Sequence, residues 1–419
     1  MKKFLCALML VGVIVSCAWA DVAINSGNFP DDVFRAYVSK NFDTNSDGVL
    51  SDSEIAGATS IRVGGYGISS LQGVEYFTAL TTLECYNNEL VSLDLRNNRS
   101  LEYVECSDNV LAYLDLSNCT SLTYLGCAEN GKKSGFNWNE RYGYRWEEGY
   151  NMRLNLSGCQ SLETLDCGSD FFSSANLSSL NLSGCAKLKE LDCSRNYALT
   201  ELDLSGCVSL ESLSCSWNSL TELDLSDCSN LYSLKCNGNR LSDLDLSGCP
   251  KLIDLNCSYN QLKTVDFSVC PNIQDINIGG NQISSVDISM CPELHSLKCY
   301  ETNIKTLDLS NKSKLYTLDF SYCNVETIDL SGCPNLWALY CNGNKLQELD
   351  LSAVSLVKLE CSYNLLKEID LSHFDSEVLE MLSCAGNQIT ALDLSRFEYL
   401  EMVNLTSADD NVYDAENSA

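Results

Sequence analysis

The sequence predicts an α/β repeat solenoid, in which short parallel strands stack one above the next along the chain. Three observations predict it. One segment recurs through most of the 419 residues, usually at intervals of 21 residues, and leucines keep fixed places inside each copy. A cysteine, or another apolar residue, recurs at one place in every copy. Copies of this length and leucine spacing stack to form a continuous core that no single copy could form alone.

The first twenty residues resemble a secretory signal. Lys2 and Lys3 precede an apolar run, and Ala18-Trp19-Ala20 has the small residues at which a signal peptidase cuts. We therefore expect residues 1–20 to be removed and the protein to be secreted or displayed on the surface or outer envelope of a bacterium. A second interpretation remains open, because Cys17 ends a lipobox-like sequence. Cleavage after residue 16 would make Cys17 a lipidated first residue.

Residues 21–58 predict a small helical N-terminal cap. The segment Phe29-Pro30-Asp31-Asp32 starts a helix, since Pro30 suits the first turn and the two aspartates suit its positive end. Four apolar residues then fall on one helical face, namely Phe34, Tyr37, Val38 and Phe42.

Residues 43–54 match the twelve-position EF-hand loop, with Gly48 at the sharp turn and Leu50 as an apolar anchor. The predicted ligands of one structural Ca²⁺ are Asp43, Asn45, Asp47, Val49 through its carbonyl, Ser51, and Glu54 through two oxygens. The alternative is a metal-free loop kept for its shape.

Residues 59–405 contain the repeats, whose pattern is LxxLxCxxNxLxxLDLSxC, and residues 406–419 form a short tail. This spacing is that of a leucine-rich repeat, in which each copy contributes one strand to a parallel sheet on the concave side of a horseshoe or arc. The strand-cysteine position of the copies is held by Val63, Cys85, Cys106, Cys127, Cys167, Cys193, Cys215, Cys236, Cys257, Ile278, Cys299, Phe320, Cys341, Cys361, Cys384 and Leu405.

Most of the 24 cysteines fall into two columns. The second column is Cys119, Cys159, Cys185, Cys207, Cys228, Cys249, Cys270, Cys291 and Cys333. Disulfides or a metal array are possible for an exported chain, but apolar residues such as Ile278 and Phe374 replace cysteine in some copies. Equivalent residues on neighbouring strands are also ~4.8 Å apart, whereas a disulfide needs converging Cβ atoms ~3.8 Å apart. Buried free thiols are therefore expected.

Two polar columns accompany the leucines. An asparagine follows most strands and is expected to bond backbone groups inside the stack. It is present at Asn88, Asn109, Asn130, Asn196, Asn218, Asn239, Asn260, Asn281, Asn344, Asn364 and Asn387. The Asp of LDLS is expected to accept hydrogen bonds from the turn that follows it, with a cation-binding column as the alternative.

The pattern LxxLxCxxNxLxxLDLS resembles the branch of the internalin family whose 21-residue repeats carry a cysteine ladder. That resemblance implies the leucine-rich repeat fold, an EF-hand-related helical cap and a surface or secreted adhesin that binds host proteins. The chain departs from the family at its C-terminus, which ends at Ala419 without an immunoglobulin-like module, a wall-sorting signal or an anchor helix. The resemblance therefore does not extend to an invasin.

Residues that flank the strand cysteines predict a ligand-binding surface, because exposed aromatics on a rigid sheet are typical recognition hot spots. The aromatic candidates are Tyr86, Tyr103, Tyr124, Trp217, Tyr259, Tyr300, Tyr322, Tyr340 and Tyr363. They alternate with carboxylates at Glu84, Glu105, Asp108, Asp166, Asp192, Asp254, Asp275, Asp319 and Glu360.

An insertion at residues 131–151 is a second candidate, since Trp138, Tyr144 and Trp146 lie in alternating segments typical of a β-hairpin. This hairpin is expected to project as a ligand-contact loop. The alternative is a flap packed on the repeats.

The net charge of −30 excludes a simple electrostatic nucleic-acid binder. No segment after the signal is long and apolar enough to span a membrane. Because the cap and repeats fill nearly the whole mature chain, we expect a non-enzymatic binding protein or adhesin that recognises a protein or glycan. The alternatives are a passive structural scaffold of the cell envelope and the recognition arm of an enzyme complex.

Overall fold

The fold is taken from a computed structural model, which describes residues 21–117, 119–130, 152–169, 177–397 and 399–404, and the short strands Trp138–Asn139 and Gly143–Tyr144. The signal sequence, Cys17, Trp146 and the tail lie outside the described residues.

The N-terminal cap contains two short helices and one antiparallel strand pair. The helices span Asp32–Asn41 and Asp52–Gly57, and Val22–Ala23 pairs with Val49–Leu50. Asp31 caps the first helix by accepting hydrogen bonds from the backbone of Val33 and Phe34. Pro30 thus precedes the cap residue, and its predicted place in the first turn was wrong.

The expected apolar face of the first helix joins the cap to the solenoid. Phe34 and Val38 are fully buried, while Tyr37 and Phe42 pack at the edge of the same core. Leu50 is also fully buried, so it anchors the loop as predicted. A 3-10 helix at Val74–Tyr76 follows the first repeat strand.

The solenoid is built on one sheet of 16 parallel strands, whose order follows the chain. Its strands are Ser60–Arg62, Thr82–Glu84, Tyr103–Glu105, Tyr124–Gly126, Thr164–Asp166, Glu190–Asp192, Ser212–Ser214, Ser233–Lys235, Asp254–Asn256, Asp275–Asn277, Ser296–Lys298, Thr317–Asp319, Ala338–Tyr340, Lys358–Glu360, Met381–Ser383 and Met402–Asn404. Equivalent residues pair in register, as Leu234 does with Leu255. This confirms the leucine-rich repeat assignment.

The middle residue of each strand points into the core, and the cysteine after the strand does the same. Leu255 and Cys257 are both fully buried, for example. All 22 cysteines of the described residues are buried and unpaired. Burial raises the pKa of the Cys257 thiol to about 12, so it is a neutral core group. Cys323 differs, because a hydrogen bond with Cys299 lowers the pKa of its thiol to about 7.

The second cysteine column also holds two polar residues that the sequence analysis missed. Asn98 and Lys312 are both buried there. The Lys312 ammonium donates to the carbonyl of Cys291 at 3.3 Å, and the Cys159 thiol donates to the carbonyl of Leu116 at the same distance. The column therefore suits a side chain that can donate to the preceding turn.

The asparagine column bonds successive turns together, as predicted. The Asn260 amide donates to the carbonyls of Cys236 at 3.0 Å and Cys257 at 3.1 Å, and its oxygen accepts from the Leu241 N–H at 3.0 Å. Thr302 and Cys323 take the asparagine position in two adjacent turns, where both contact the carbonyl of Cys299.

A smaller parallel sheet contains three successive positions of the aspartate column, held by Asp115, Asn155 and Asn181. Its strands are Tyr113–Asp115, Met152–Asn155 and Leu177–Asn181. The Asn155 amide donates to Asp115 at 3.1 Å, and the Asn181 amide donates to Asn155 at 3.3 Å. Asparagine in place of aspartate thus replaces charge repulsion with hydrogen bonds between turns.

Candidate binding face

The solvent-facing side of the 16-stranded sheet is the candidate site, and we call it the sheet face. It comprises the first and third residue of each strand and the two residues after each strand cysteine. Because the strands are parallel and in register, each of these positions forms a straight column across the turns. The second residue after the cysteine is left-handed in nearly every turn, as at Tyr259 with φ 53°.

All the predicted aromatics of the repeats lie on this face, but they differ in exposure. The well-exposed ones are Tyr86, Trp217, Tyr259, Tyr322 and Tyr363, which range from 37% exposed at Trp217 to 57% at Tyr363. Tyr103, Tyr124, Tyr300 and Tyr340 are half-buried. Tyr103 and Tyr124 stack with ring centroids 4.5 Å apart, and the Tyr124 hydroxyl donates to Glu105 at 3.1 Å.

Each aromatic that follows a strand cysteine lies over a glycine on a neighbouring turn. A β-carbon added at Gly280 would lie 2.5 Å from the Tyr259 ring, and one at Gly238 would lie 2.6 Å from the Trp217 ring. The same relation holds between Tyr363 and Gly386. The complete set of ring and glycine pairs is Tyr86 with Gly64, Trp217 with Gly238, Tyr259 with Gly280, Tyr300 with Gly279, Tyr322 with Gly343, and Tyr363 with Gly386.

These glycines make room for the rings, because only a residue without a side chain lets a ring lie this close to the backbone. Three of the rings form a contiguous patch. The ring centroids of Trp217 and Tyr259 are 6.2 Å apart with an interplanar angle of 29°, and those of Tyr259 and Tyr300 are 5.9 Å apart. Burial and the neighbouring Tyr300 raise the pKa of Tyr259 to about 12, so its hydroxyl is neutral.

Carboxylates share the face with the rings. Burial raises the pKa of Asp166, and the carboxylates of Asp192 and Glu105 raise it further, against a hydrogen bond from the Gly168 N–H that lowers it. Burial likewise raises the pKa of Asp319. The face thus concentrates negative charge that a cationic or hydrogen-bond-donating group would stabilise.

A second exposed stripe borders the sheet face, and the sequence analysis missed it. It consists of residues just before the strands, among them Tyr232, Ile253, Tyr316 and Trp337. The Lys358 ammonium lies 5.2 Å from the Trp337 ring centroid. These residues recur at the same spacing as the strand cysteines, so an alignment of the repeats reveals the stripe.

In the predicted calcium loop, the side chains bond to the loop itself. Asp43 accepts from the N–H groups of Asp47 at 3.2 Å and Gly48 at 3.0 Å, and Asp47 accepts from the Val49 N–H at 2.9 Å. The oxygens of Asp43, Asn45, Asp47, Val49, Ser51 and Glu54 are the hard donors that Ca²⁺ prefers, so the donor set fits the ion. Within the described residues, however, no three acidic, cysteine or histidine side chains are grouped so that they could hold a metal.

The Glu54 carboxylate bonds to the two ends of the loop. It accepts from the backbone and hydroxyl of Thr44 at 2.7 Å each, and from those of Ser51 at 2.9 and 2.8 Å. It forms a capping box with Ser51 at the start of the second helix. These hydrogen bonds, led by that from the Ser51 backbone, lower the pKa of Glu54 to about 2.

The aspartate column acts as predicted, by capping turns. Asp245 accepts from the Ser247 N–H at 2.8 Å, and Asp203 accepts from the Ser205 N–H at 2.9 Å. Hydrogen bonds from the Ser205 hydroxyl and backbone lower the pKa of Asp203. An acidic groove of about 660 Å³ runs beside this column, but turn capping accounts for the carboxylates without a cation.

The insertion contains the expected antiparallel pairing, in which Trp138 is opposite Tyr144 and Asn139 is opposite Gly143. The rest of 131–151 lies outside the described residues. In the described part of the chain, no helix has the length and apolar character needed to cross a bilayer.

The chain is similar to internalin J of Listeria monocytogenes serotype 4b (strain F2365), with 34% identity over 70 residues. This match spans 17% of the chain and only 8% of the relative's length. No protein-family model matches the sequence.

Two solved structures are similar over most of the chain. The functional domain of InlJ from Listeria monocytogenes, which includes a cysteine ladder, gives a TM-score of 0.73 at 29% identity, covering 88% of this chain and 77% of that one. The internalin InlF of Listeria monocytogenes strain 4b F2365 gives a TM-score of 0.60 at 19% identity, covering 92% and 98%, which shows the fold alone. The internalin-like repeat and its cysteine ladder are therefore confirmed.

Proposed function

We propose that this internalin-like leucine-rich repeat protein is an exported, non-enzymatic binding protein or adhesin that recognises a protein or glycan through its sheet face. The observation that carries the proposal is the set of exposed rings, each held on a glycine, among carboxylates. The core does not need these rings, because leucine and cysteine already fill it. Exposed aromatics with restricted motion lose little conformational entropy on binding.

The rigidity of the face supports a binding role. Neighbouring turns are joined by the sheet and, in most repeats, by the asparagine amides, as Asn281 joins the turns of Cys257 and Ile278 with 3.0 Å hydrogen bonds. A rigid scaffold keeps the rings and carboxylates in place before a partner arrives, which favours affinity. A passive envelope scaffold would not require exposed aromatics at these positions, and an enzyme-complex arm would require a catalytic partner chain.

The test compares two triple variants for binding to immobilised wall glycans and host surface proteins. The first replaces Tyr259, Tyr300 and Tyr322 with Ala. The control replaces Tyr197, Tyr316 and Tyr399, which are similarly exposed but lie outside the set of rings seated on glycines. We expect the first variant to lose about 2 kcal/mol of affinity, roughly thirtyfold, while the control binds as the wild type does.

Folding must be compared in the same experiment. Surface truncations should change the free energy of unfolding by only about 0.5 kcal/mol per site. Normal folding together with unchanged affinity of the first variant would reject the sheet face as the binding surface and leave the scaffold alternative standing.

We further propose that the loop at residues 43–54 binds one Ca²⁺ that stabilises the cap. The ion would be held by the side-chain oxygens of Asp43, Asn45, Asp47, Ser51 and Glu54 and by the carbonyl of Val49. Replacing Glu54 with Gln tests this, because glutamine also suits a capping box but lacks the charged bidentate ligand. Calcium should raise the melting temperature of the wild type and not of E54Q. An equal response of both proteins to calcium and chelator would identify the loop as a metal-free shape.

Export and anchoring are also proposals. Mass spectrometry of the protein recovered from the producing cells distinguishes them, since cleavage after Ala20 leaves Asp21 first. Cleavage before Cys17 leaves a lipidated cysteine. Retention of residues 1–20 would contradict both.

A further inference from the structure

The rings seated on glycines follow a regular order in one column of the sheet face. In the second position after each strand cysteine, consecutive turns carry an aromatic and then a glycine, with one glutamate between two such sets. The column is Trp217, Gly238, Tyr259, Gly280, Glu301, Tyr322, Gly343, Tyr363 and Gly386. Every aromatic in it covers the glycine on the next turn. We call this column the aromatic row.

The aromatic row is long and narrow. Nine turns at ~4.8 Å per strand make it roughly 38 Å long. Each ring lies against a glycine and remains partly exposed, at 42% for Tyr259 and 53% for Tyr322. The row therefore offers successive partly exposed rings along a line, rather than a deep pocket for a single anchoring side chain.

Polar groups border the row on the strand side. The position one residue earlier carries Ser216, Asn237 and Ser258, of which the two serines are buried and Asn237 is half-buried. The Ser216 hydroxyl donates to the Asn237 side-chain oxygen at 2.7 Å. Aromatic rings next to the Asn237 amide and to strand carboxylates such as Asp254 suit a ligand with an apolar face and hydroxyls around its rim. A pyranose ring has that chemistry, because its axial C–H groups form an apolar face and its equatorial hydroxyls point outward.

The charge of the protein further restricts the class of ligand that the row can bind. The chain carries −30. On the turns of the row the sheet face carries five carboxylates against three ammonium groups, namely Asp254, Asp275, Glu301, Asp319 and Glu360 against Lys235, Lys298 and Lys358. A sulfated or uronic-acid polymer would be repelled by this field, whereas a neutral polymer is not and one with amino groups is attracted.

We infer that the aromatic row is a binding platform for an extended polysaccharide of neutral or amino-bearing pyranose units, which stack on Trp217, Tyr259, Tyr322 and Tyr363. This inference rests on the proposed function and names the ligand class of the same face. It assigns the seating glycines a role in positioning the rings.

Affinity gel electrophoresis tests the platform with three soluble polymers, namely hydroxyethylcellulose, glycol chitosan and polygalacturonate. The full mature chain should be retarded by hydroxyethylcellulose and by glycol chitosan, and not by polygalacturonate. The double variant W217A/Y259A should lose at least tenfold in apparent affinity. The control double variant Y197A/Y399A removes two exposed tyrosines elsewhere and should be retarded as the wild type is.

A second pair of variants tests the seating without removing a ring. G280A places a methyl group against Tyr259, whereas G206A has nothing within 4 Å. Both glycines are left-handed, with φ of 64° and 79°, so both variants carry similar backbone strain. We expect G280A to weaken retardation and G206A to leave it unchanged.

Three results would overturn the inference. The first is that neither hydroxyethylcellulose nor glycol chitosan retards the wild type. The second is that W217A/Y259A is retarded as the wild type is, and the third is that G280A and G206A have equal effects. Retardation by glycol chitosan that is independent of the rings would reflect net charge alone. If no polymer binds but a captured protein partner is lost in the Tyr259, Tyr300 and Tyr322 variant, the polysaccharide inference fails and the proposed function stands.

Discussion

Replacing Asn260 with Ala should destabilise the solenoid strongly, because this one side chain bonds the backbone of two successive turns. Its amide donates to the carbonyls of Cys236 at 3.0 Å, Cys257 at 3.1 Å and Ser258 at 3.3 Å. Its oxygen accepts from the Leu241 N–H at 3.0 Å. The side chain is buried, so water cannot easily replace these partners.

The magnitude follows from the groups that lose a partner. A buried donor or acceptor left unsatisfied costs about 1–3 kcal/mol. The Leu241 N–H loses its acceptor in this variant, whereas the Cys236 carbonyl keeps the Asn239 amide at 3.0 Å and the Cys257 carbonyl keeps the Asn281 amide at 3.0 Å. One unsatisfied N–H together with the lost carbonyl bonds should lower the free energy of unfolding by about 2–4 kcal/mol.

Urea unfolding followed by circular dichroism measures the loss, with the slope compared between variants because a solenoid can unfold in parts. The control is N256A on the same turn. Asn256 is half-buried and accepts only from Ser258, through its N–H at 3.2 Å and its hydroxyl at 2.7 Å. N256A should cost about 1 kcal/mol or less. A loss below 1 kcal/mol for N260A, or equal losses for both variants, would refute the reasoning about the asparagine column.

Three further predictions follow from the same contacts. The native protein should react slowly with thiol reagents, and the denatured protein should titrate 22 free thiols without reduction if it is cut after Ala20; a count near zero would contradict the buried-thiol column. C323N should restore the asparagine column beside Thr302 and raise stability by about 0.5–2 kcal/mol, measured by urea unfolding; a loss would show that the site has adapted to the smaller thiol. The pKa of Glu54 is lowered from 4.5 to about 2, so its stabilisation of the second helix is present above pH 4.5 and lost as pH falls toward 2. Hydrogen exchange at residues 52–57 should show this loss in the wild type and much less in E54Q, and parallel loss in both would contradict it.

The repeat pattern predicted the solenoid because each conserved place has a geometric cause. The Leu255 and Cys257 positions alternate inward, and the Asn260 position meets the carbonyls left free after the strand. Each of these contacts lies within one turn or between neighbouring turns. Aligning the repeats along the sequence therefore predicts all of them. The first helix of the cap could also be predicted, because its cap and its apolar face are local features of the sequence; only the place of Pro30 was wrong.

The ring and glycine pairs, Lys312 and the second exposed stripe were missed, because finding them requires comparing equivalent residues on different turns. The seating of Tyr259 on Gly280 depends on two residues 21 positions apart, a spacing that the repeat itself supplies. Lys312 in the second cysteine column and the stripe at Tyr232 and Trp337 could have been found in the same way. Glu54 is different, because one carboxylate can cap a helix or bind Ca²⁺, and the sequence pattern is the same for both roles.

Hydroxyl-radical footprinting of the mature chain can show whether ligands bind on the sheet face. The chain is oxidised alone and when saturated with the partner or polymer that it retains, and side-chain oxidation is quantified by mass spectrometry. The account predicts protection of Trp217, Tyr259 and Tyr322, with unchanged oxidation of Tyr197 and Tyr399, which are exposed elsewhere. Unchanged oxidation of the three sheet-face rings, with protection at Tyr197 or Tyr399, would contradict it.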